Sequence, residues 1–98
     1  MNALPENEAR AERLSEILKA VAHPIRLRIV ALLCGEGETH VNGLATRLAT
    51  PQPIVSQQLR ILRARGLVAA TREHGFARYR LAEPALRELV CCMERCRH

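Results

Sequence analysis

The stretch that decides the fold is "PQPIVSQQLRILRARGLV", Pro51–Val68, which opens on two prolines, continues with a helical apolar period and stops at a glycine. Ile54, Val55, Leu59 and Leu62 fall on one face, and Gln52, Ser56, Gln57, Arg60 and Arg63 on the other. Thr50 is expected as the N-cap and Pro51 as the first helical residue. Arg65-Gly66 reads as the stop, with Gly66 taking a positive φ. The outward face carries amides and a hydroxyl early, arginines late, and no Asp or Glu anywhere. Most solvated helices balance acid with base. This one does not.

Working outward, Asn42 to Ala49 reads as a short helix with Leu44, Ala45 and Leu48 inward, joined to the first stretch by a tight turn. On the other side, "LVAATREHGFARYRL", residues 67–81, reads as two strands around Glu73-His74-Gly75, a hairpin with a glycine tip. Glu6 to Ala22 carries a stripe of Leu14, Ile17, Leu18 and Val21, and His23-Pro24 separates it from a second helix running to about Leu33. That second helix is so rich in aliphatic residues that it should be the most buried. Residues 34–38, "CGEGE", read as a loop. Pro84 to about Arg95 reads as a last helix, with Leu86, Leu89, Val90 and Met93 as its buried face. The fold class is mostly α with a small β-hairpin: four helices, the hairpin, and a fifth helix, in one domain over residues 1–98. Two short helices in tandem followed by a basic hairpin have the order of a winged helix-turn-helix.

A chain of 98 residues supports one modest core, so burial against a second copy would help it. No apolar run reaches the ~18 residues of a membrane span and no charged-then-apolar leader opens the chain, so a cytoplasmic location without membrane contact is expected. The net charge is +5, unevenly spread. Four glutamates face two arginines up to Glu16, whereas six arginines face only Glu73 between Arg60 and Arg80. A polyanion on one side of the fold is the reading this favours; a merely solvated, arginine-rich surface in a chain whose only lysine is Lys19 is the competing one. Phe76 and Tyr79 are the only aromatics, too few for a single-strand stacking platform, so double-stranded DNA is the expected partner.

A helix fits the major groove and reads bases near its N-terminus. Gln52 and Gln57 can offer the donor–acceptor fork that adenine matches, Ser56 permits close approach, and Arg60 and Arg63 lie where phosphates run. Arg72, His74 and Arg78 of the hairpin reach the neighbouring backbone or minor groove. No cofactor is needed for such binding. One short helix reads few bases, so two copies about 34–36 Å apart on an inverted repeat are expected. No nucleophile–base–acid set and no phosphate-cradling glycine loop is visible, which argues against an enzyme.

"LKAVAHPIRLRIVALL" (18–33), "VNGLATRLA" (41–49), "VSQQLRILRARGLV" (55–68) and "REHGFARYRL" (72–81) resemble, in order and spacing, successive signatures of the arsenic-repressor/SmtB family of metalloregulators. The resemblance extends from about Leu14 to Leu89. It implies a homodimeric winged-helix repressor joined through its first and last helices, whose operator affinity falls when an inducer binds. Carried over by position, the base-reading residues are Gln52, Ser56 and Gln57. Pro53 departs from the small polar residue usual there.

Four cysteines, Cys34, Cys91, Cys92 and Cys96, are expected to be reduced, and no C-x-x-C pair is present. One sensor type in the resembled family uses a Cys-x-Cys pair before the reading helix, where this chain has "THVNGLA" (39–45). Another uses Asp and His along the last helix; this chain has no aspartate, and residues 82–95 hold no histidine. What remains is "CCMERC", Cys91–Cys96. Three thiols suit a thiophilic ion, and trivalent arsenic or antimony takes three thiolates in a pyramid. On an ideal helix Cys92 and Cys96 lie about 40° apart and Cys91 about 100° from Cys92, so closure needs a frayed end or the partner's helix. A thiol redox or reactive-sulfur switch is the alternative, and simple packing a third. Cys34, beside Gly35, reads as packing; His98 is a poor zinc ligand at a terminus.

Overall fold

The computed structural model describes residues 8–95, the side chains at positions 91, 94 and 95 excepted. In chain order it contains α1 (Glu8–Val21), α2 (Pro24–Glu36), β1 (Thr39–His40), α3 (Val41–Leu48), α4 (Gln52–Ala64), β2 (Val68–Glu73), β3 (Phe76–Leu81) and α5 (Pro84–Arg95). The helical and hairpin elements occur in the expected order.

α2 is the hub. Ile29, Val30 and Leu33 are wholly buried, and the helix touches α1, α3, α4, α5 and β3. It starts sharply because His23 caps it: the Ile25 N–H donates to His23 Nδ1 at 3.2 Å, and Pro24 takes the first helical position. Around it close Leu44 and Leu48 of α3, Val55, Leu59 and Leu62 of α4, Leu67 and Leu81, and Leu86 and Val90 of α5. Each wholly buried leucine contributes about 1.5–3 kcal/mol of transfer free energy, so this cluster fixes how α3 and α4 sit on the body.

The sheet corrects the expected topology. β1, unforeseen, pairs antiparallel with β3, giving the strand order β1-β3-β2 with Thr39 opposite Tyr79 and His40 opposite Arg78. β1 then passes into α3 without an intervening residue.

Other expectations also shift. α2 runs through Cys34, Gly35 and Glu36, which were expected in a loop. It ends at Gly37, whose N–H still donates to Leu33 O at 3.0 Å and whose φ of 80° then turns the chain out of the helix. A glycine within the last turn costs only about 1 kcal/mol, and the Glu36–Arg47 ion pair ties that turn to α3. Thr50 does not cap α4: its hydroxyl donates back to Leu48 O at 3.0 Å, and Pro51 stands at the cap position instead. Ile54 is not inward but 39% exposed, and Met93 is 47% exposed on α5.

At the start of α5, Glu83 accepts from the Ala85 N–H at 3.2 Å and from Arg13 of α1 at 3.0 Å. Among the described residues no helix is long and apolar enough to cross a membrane.

Candidate nucleic-acid interface

Between α3 and α4 the chain turns within three residues. Ala49 adopts the left-handed conformation (φ 51°, ψ 45°), the Thr50 N–H returns to Ala45 O at 3.0 Å, and Pro51 (φ −57°, ψ 140°) redirects the backbone. Pro51 O then accepts from the Ile54 and Val55 N–H groups, launching α4. Val55, Leu59 and Leu62 seal one face at 0% exposure, so the opposite face is committed to solvent. Gln52, Gln57, Arg60 and Arg63 are exposed and Ser56 half-buried, which brings together on one helix the five residues expected there. At about 100° per residue, Gln52, Ser56, Arg60 and Arg63 form a single ridge, while Gln57 stands about 140° round from Gln52. A single base therefore cannot face both glutamines at the same height.

The wing is built on a two-residue turn. His74 (φ 52°) and Gly75 (φ 84°) are both left-handed, the type I′ geometry whose twist matches the flanking strands, with Glu73 paired to Phe76. Arg72 and His74 are exposed there. Arg78 differs. Its guanidinium lies 3.1 Å from Glu73 and 3.5 Å from Glu38, so two carboxylates already offset its charge and anchor the wing to the segment before β1. Arg80 donates to Thr71 Oγ1 across the hairpin at 2.6 Å.

Three residues were missed by sequence reasoning. Phe76 is 61% exposed at the wing tip, its ring edge-on to His40 at 5.8 Å, while His40 Nδ1 lies 3.3 Å from Ala77 O. Tyr79, on β3, lines a cleft of about 520 Å³ with Ser56, Arg60, Arg63 and Ala64. His40 had no local signal, since β1 is placed by pairing with the distant β3; Phe76 and Tyr79 lie in the hairpin the sequence located, but their neighbours, His40 and α4, come from elsewhere in the chain.

The thiol cluster is only partly described. Cys92 is exposed on α5. The side chain of Cys91, and all of Cys96, lie outside the described residues. Cys34 is half-buried, its Sγ 3.9 Å from Arg87 O of α5. Among the described residues no three His, Cys, Asp or Glu side chains converge on a metal-sized site.

A tight helix pair, an acid-free exposed helix face and a basic wing define a DNA-binding regulator of the winged helix-turn-helix class. Comparison with known proteins agrees. The family "Bacterial regulatory protein, arsR family" matches residues 23–70. The biofilm growth-associated repressor of Agrobacterium fabrum is 41% identical over 87 residues, covering 89% of this chain and 74% of that protein. The crystal structure of the transcriptional repressor BigR from Xylella fastidiosa superposes with a TM-score of 0.83 at 36% identity, covering 92% of this chain and 93% of that one. The homodimeric winged helix-turn-helix DNA-binding domain of Mb0332 from Mycobacterium bovis gives 0.77 at 29% identity, covering 97% and 88%. The chain belongs to the arsR family of transcriptional repressors; it binds DNA and is not an enzyme.

Proposed function

We propose that the protein represses transcription as a homodimer on an inverted-repeat operator and leaves it when a thiophilic inducer binds near the end of α5. The observation that carries the DNA half is the exposed face of α4: amides at its start, guanidiniums at its end and no carboxylate, over an apolar face with no exposure. Gln52, Ser56 and Gln57 read base edges, Arg60 and Arg63 hold the backbone, and Arg72 and His74 reach past it from the wing. Arg78 contributes what charge Glu38 and Glu73 leave it. The dimer half is supported by α1, where Leu18 is 52% exposed beside Leu14 and Ala22, by exposed Met93 on α5, and by the homodimeric relative.

The test is a gel shift on a duplex selected from a random library, repeated across salt. Affinity should fall linearly on logarithmic axes, with a slope of about −0.9 per phosphate held, and the footprint should have dyad symmetry. Binding indifferent to salt, or an asymmetric footprint, overturns the reading.

For the inducer, exposed Cys92 and its neighbours in "CCMERC" are the donor set, and trivalent arsenic or antimony is the ligand class a three-thiolate site suits. Cys91→Ser, Cys92→Ser and Cys96→Ser should each keep operator binding and lose release by arsenite; release by all three variants rejects the cluster. The alternative is a thiol redox or reactive-sulfur switch. Cys34 rests on α5 at Arg87, one helical turn before position 91. Release of DNA by peroxide or polysulfide, lost in Cys34→Ser, would select that reading over the metalloid.

A further inference from the structure

The cleft between the second half of α4 and the base of the wing has the chemistry of an anion seat. Ser56, Arg60, Arg63 and Ala64 line it from the helix, at i, i+4, i+7 and i+8, and Tyr79 lines it from β3. No carboxylate is among the lining residues. Among the described residues neither guanidinium has an ion-pair partner, and neither the Ser56 nor the Tyr79 hydroxyl makes a hydrogen bond. Those hydroxyls are not among the buried orphan atoms either, so both meet solvent. The next arginines along β3 behave differently: Arg78 is held by Glu38 and Glu73, and Arg80 by Thr71. Two exposed guanidiniums without carboxylate partners on one concavity repel each other weakly, and an anion between them would be attracted to both.

We infer that this cleft seats a backbone phosphate of the bound duplex, with the Tyr79 hydroxyl as its donor from the wing side. The inference rests on the DNA-binding reading and deepens it. Arg60 and Arg63 supply charge, and Tyr79 supplies direction: a phenolic O–H donates one short hydrogen bond to a non-bridging oxygen and adds no charge. The cleft begins at Ser56, one turn beyond Gln52, and ends at Ala64, about 12 Å further along the helix. A strand whose bases face the start of α4 therefore passes its sugar–phosphate edge across this opening. Ser56 stands where the two surfaces meet, so it serves the phosphate as well as the base edge. The seat fixes how deeply α4 enters the groove, which is a positioning function carrying no sequence information of its own.

The test uses the full chain and its selected duplex, with methylphosphonate linkages replacing single phosphates along each half-site. For the parent, neutralising one linkage per half-site should weaken binding roughly three- to tenfold. Tyr79→Phe, which keeps the ring's packing, should weaken binding by a similar factor on the selected duplex and on a scrambled one, with the ratio between them unchanged. Arg63→Gln, present in both subunits of the dimer, should also lower the magnitude of the salt slope by about two, one for each half-site. In a Tyr79→Phe/Arg63→Gln protein with a parental melting temperature, neutralising that linkage should then cost less than twofold. If the linkage and side-chain losses add fully at every position, or Tyr79→Phe binds both duplexes like the parent, the seat is refuted. A parent that binds no duplex refutes the broader reading instead. Inorganic phosphate, added at constant ionic strength, should compete no better than sulfate; selective competition would make the cleft a free-anion site and overturn its assignment to the backbone.

Discussion

Ala49 holds a left-handed backbone (φ 51°) without the glycine that such a turn favours, and the helix-turn-helix angle depends on it. The Cβ penalty of about 1–2 kcal/mol is offset in part because glycine would enlarge the entropy of the unfolded chain by about 0.4–1 kcal/mol. Ala49→Gly should therefore raise stability by roughly 0.5 kcal/mol, a gain of a few degrees in melting temperature. An unchanged or lowered midpoint would mean that neighbouring hydrogen bonds already absorb the strain. His23 presents the opposite case, a side chain supplying what the backbone lacks. His23→Ala removes the acceptor for the Ile25 N–H and should cost about 1 kcal/mol, whereas His23→Asn should retain most of it. Neither role is legible from residue type alone. Alanine rarely marks a left-handed turn, and histidine is an uncommon cap, but His23-Pro24 did identify the junction.

α4 was legible because its 3.6-residue period is strong, and Val55, Leu59 and Leu62 are indeed the sealed face. Ile54 was assigned inward because it is apolar and adjacent to Val55, yet adjacency on a helix is about 100° of rotation. Its 39% exposure separates the two in a measurable way. Leu59→Ala should cost about 2–5 kcal/mol in chemical denaturation, whereas Ile54→Ala should cost well under 1 kcal/mol. Comparable losses would show that the helix sits rotated from its described position. The hairpin was equally readable, since His74-Gly75 between alternating strands is a local signal. β1 was not, for a strand of two residues has no alternation, and it exists only because β3 offers it an edge. The same non-local pairing explains why Arg78 read as free from sequence: Glu38, one of its two partners, lies far upstream. Gly75→Ala, forced to φ 84°, should cost about 1 kcal/mol and weaken DNA binding through the wing while leaving the body folded.

For the proposed dimer, the exposed apolar stripe of α1 is the feature that a second copy would cover. Leu18→Glu should leave each subunit folded, because the side chain is 52% exposed, and give a monomer in sedimentation. Affinity for a two-half-site operator should then drop roughly a hundredfold or more as the second half-site loses its tethered reader. A dimer that survives Leu18→Glu would move the interface elsewhere. β1 carries a further consequence at this scale. It is hydrogen-bonded to the inner strand of the wing and runs straight into α3, which packs on α4, so the hairpin is tied through α3 to the helix proposed to read bases. The fold therefore sets the spacing between that helix and the wing tip. An extra base pair between the segment gripped by α4 and that touched by the wing tip forces one of the two to let go, while a changed gap between half-sites tests only the joint between subunits.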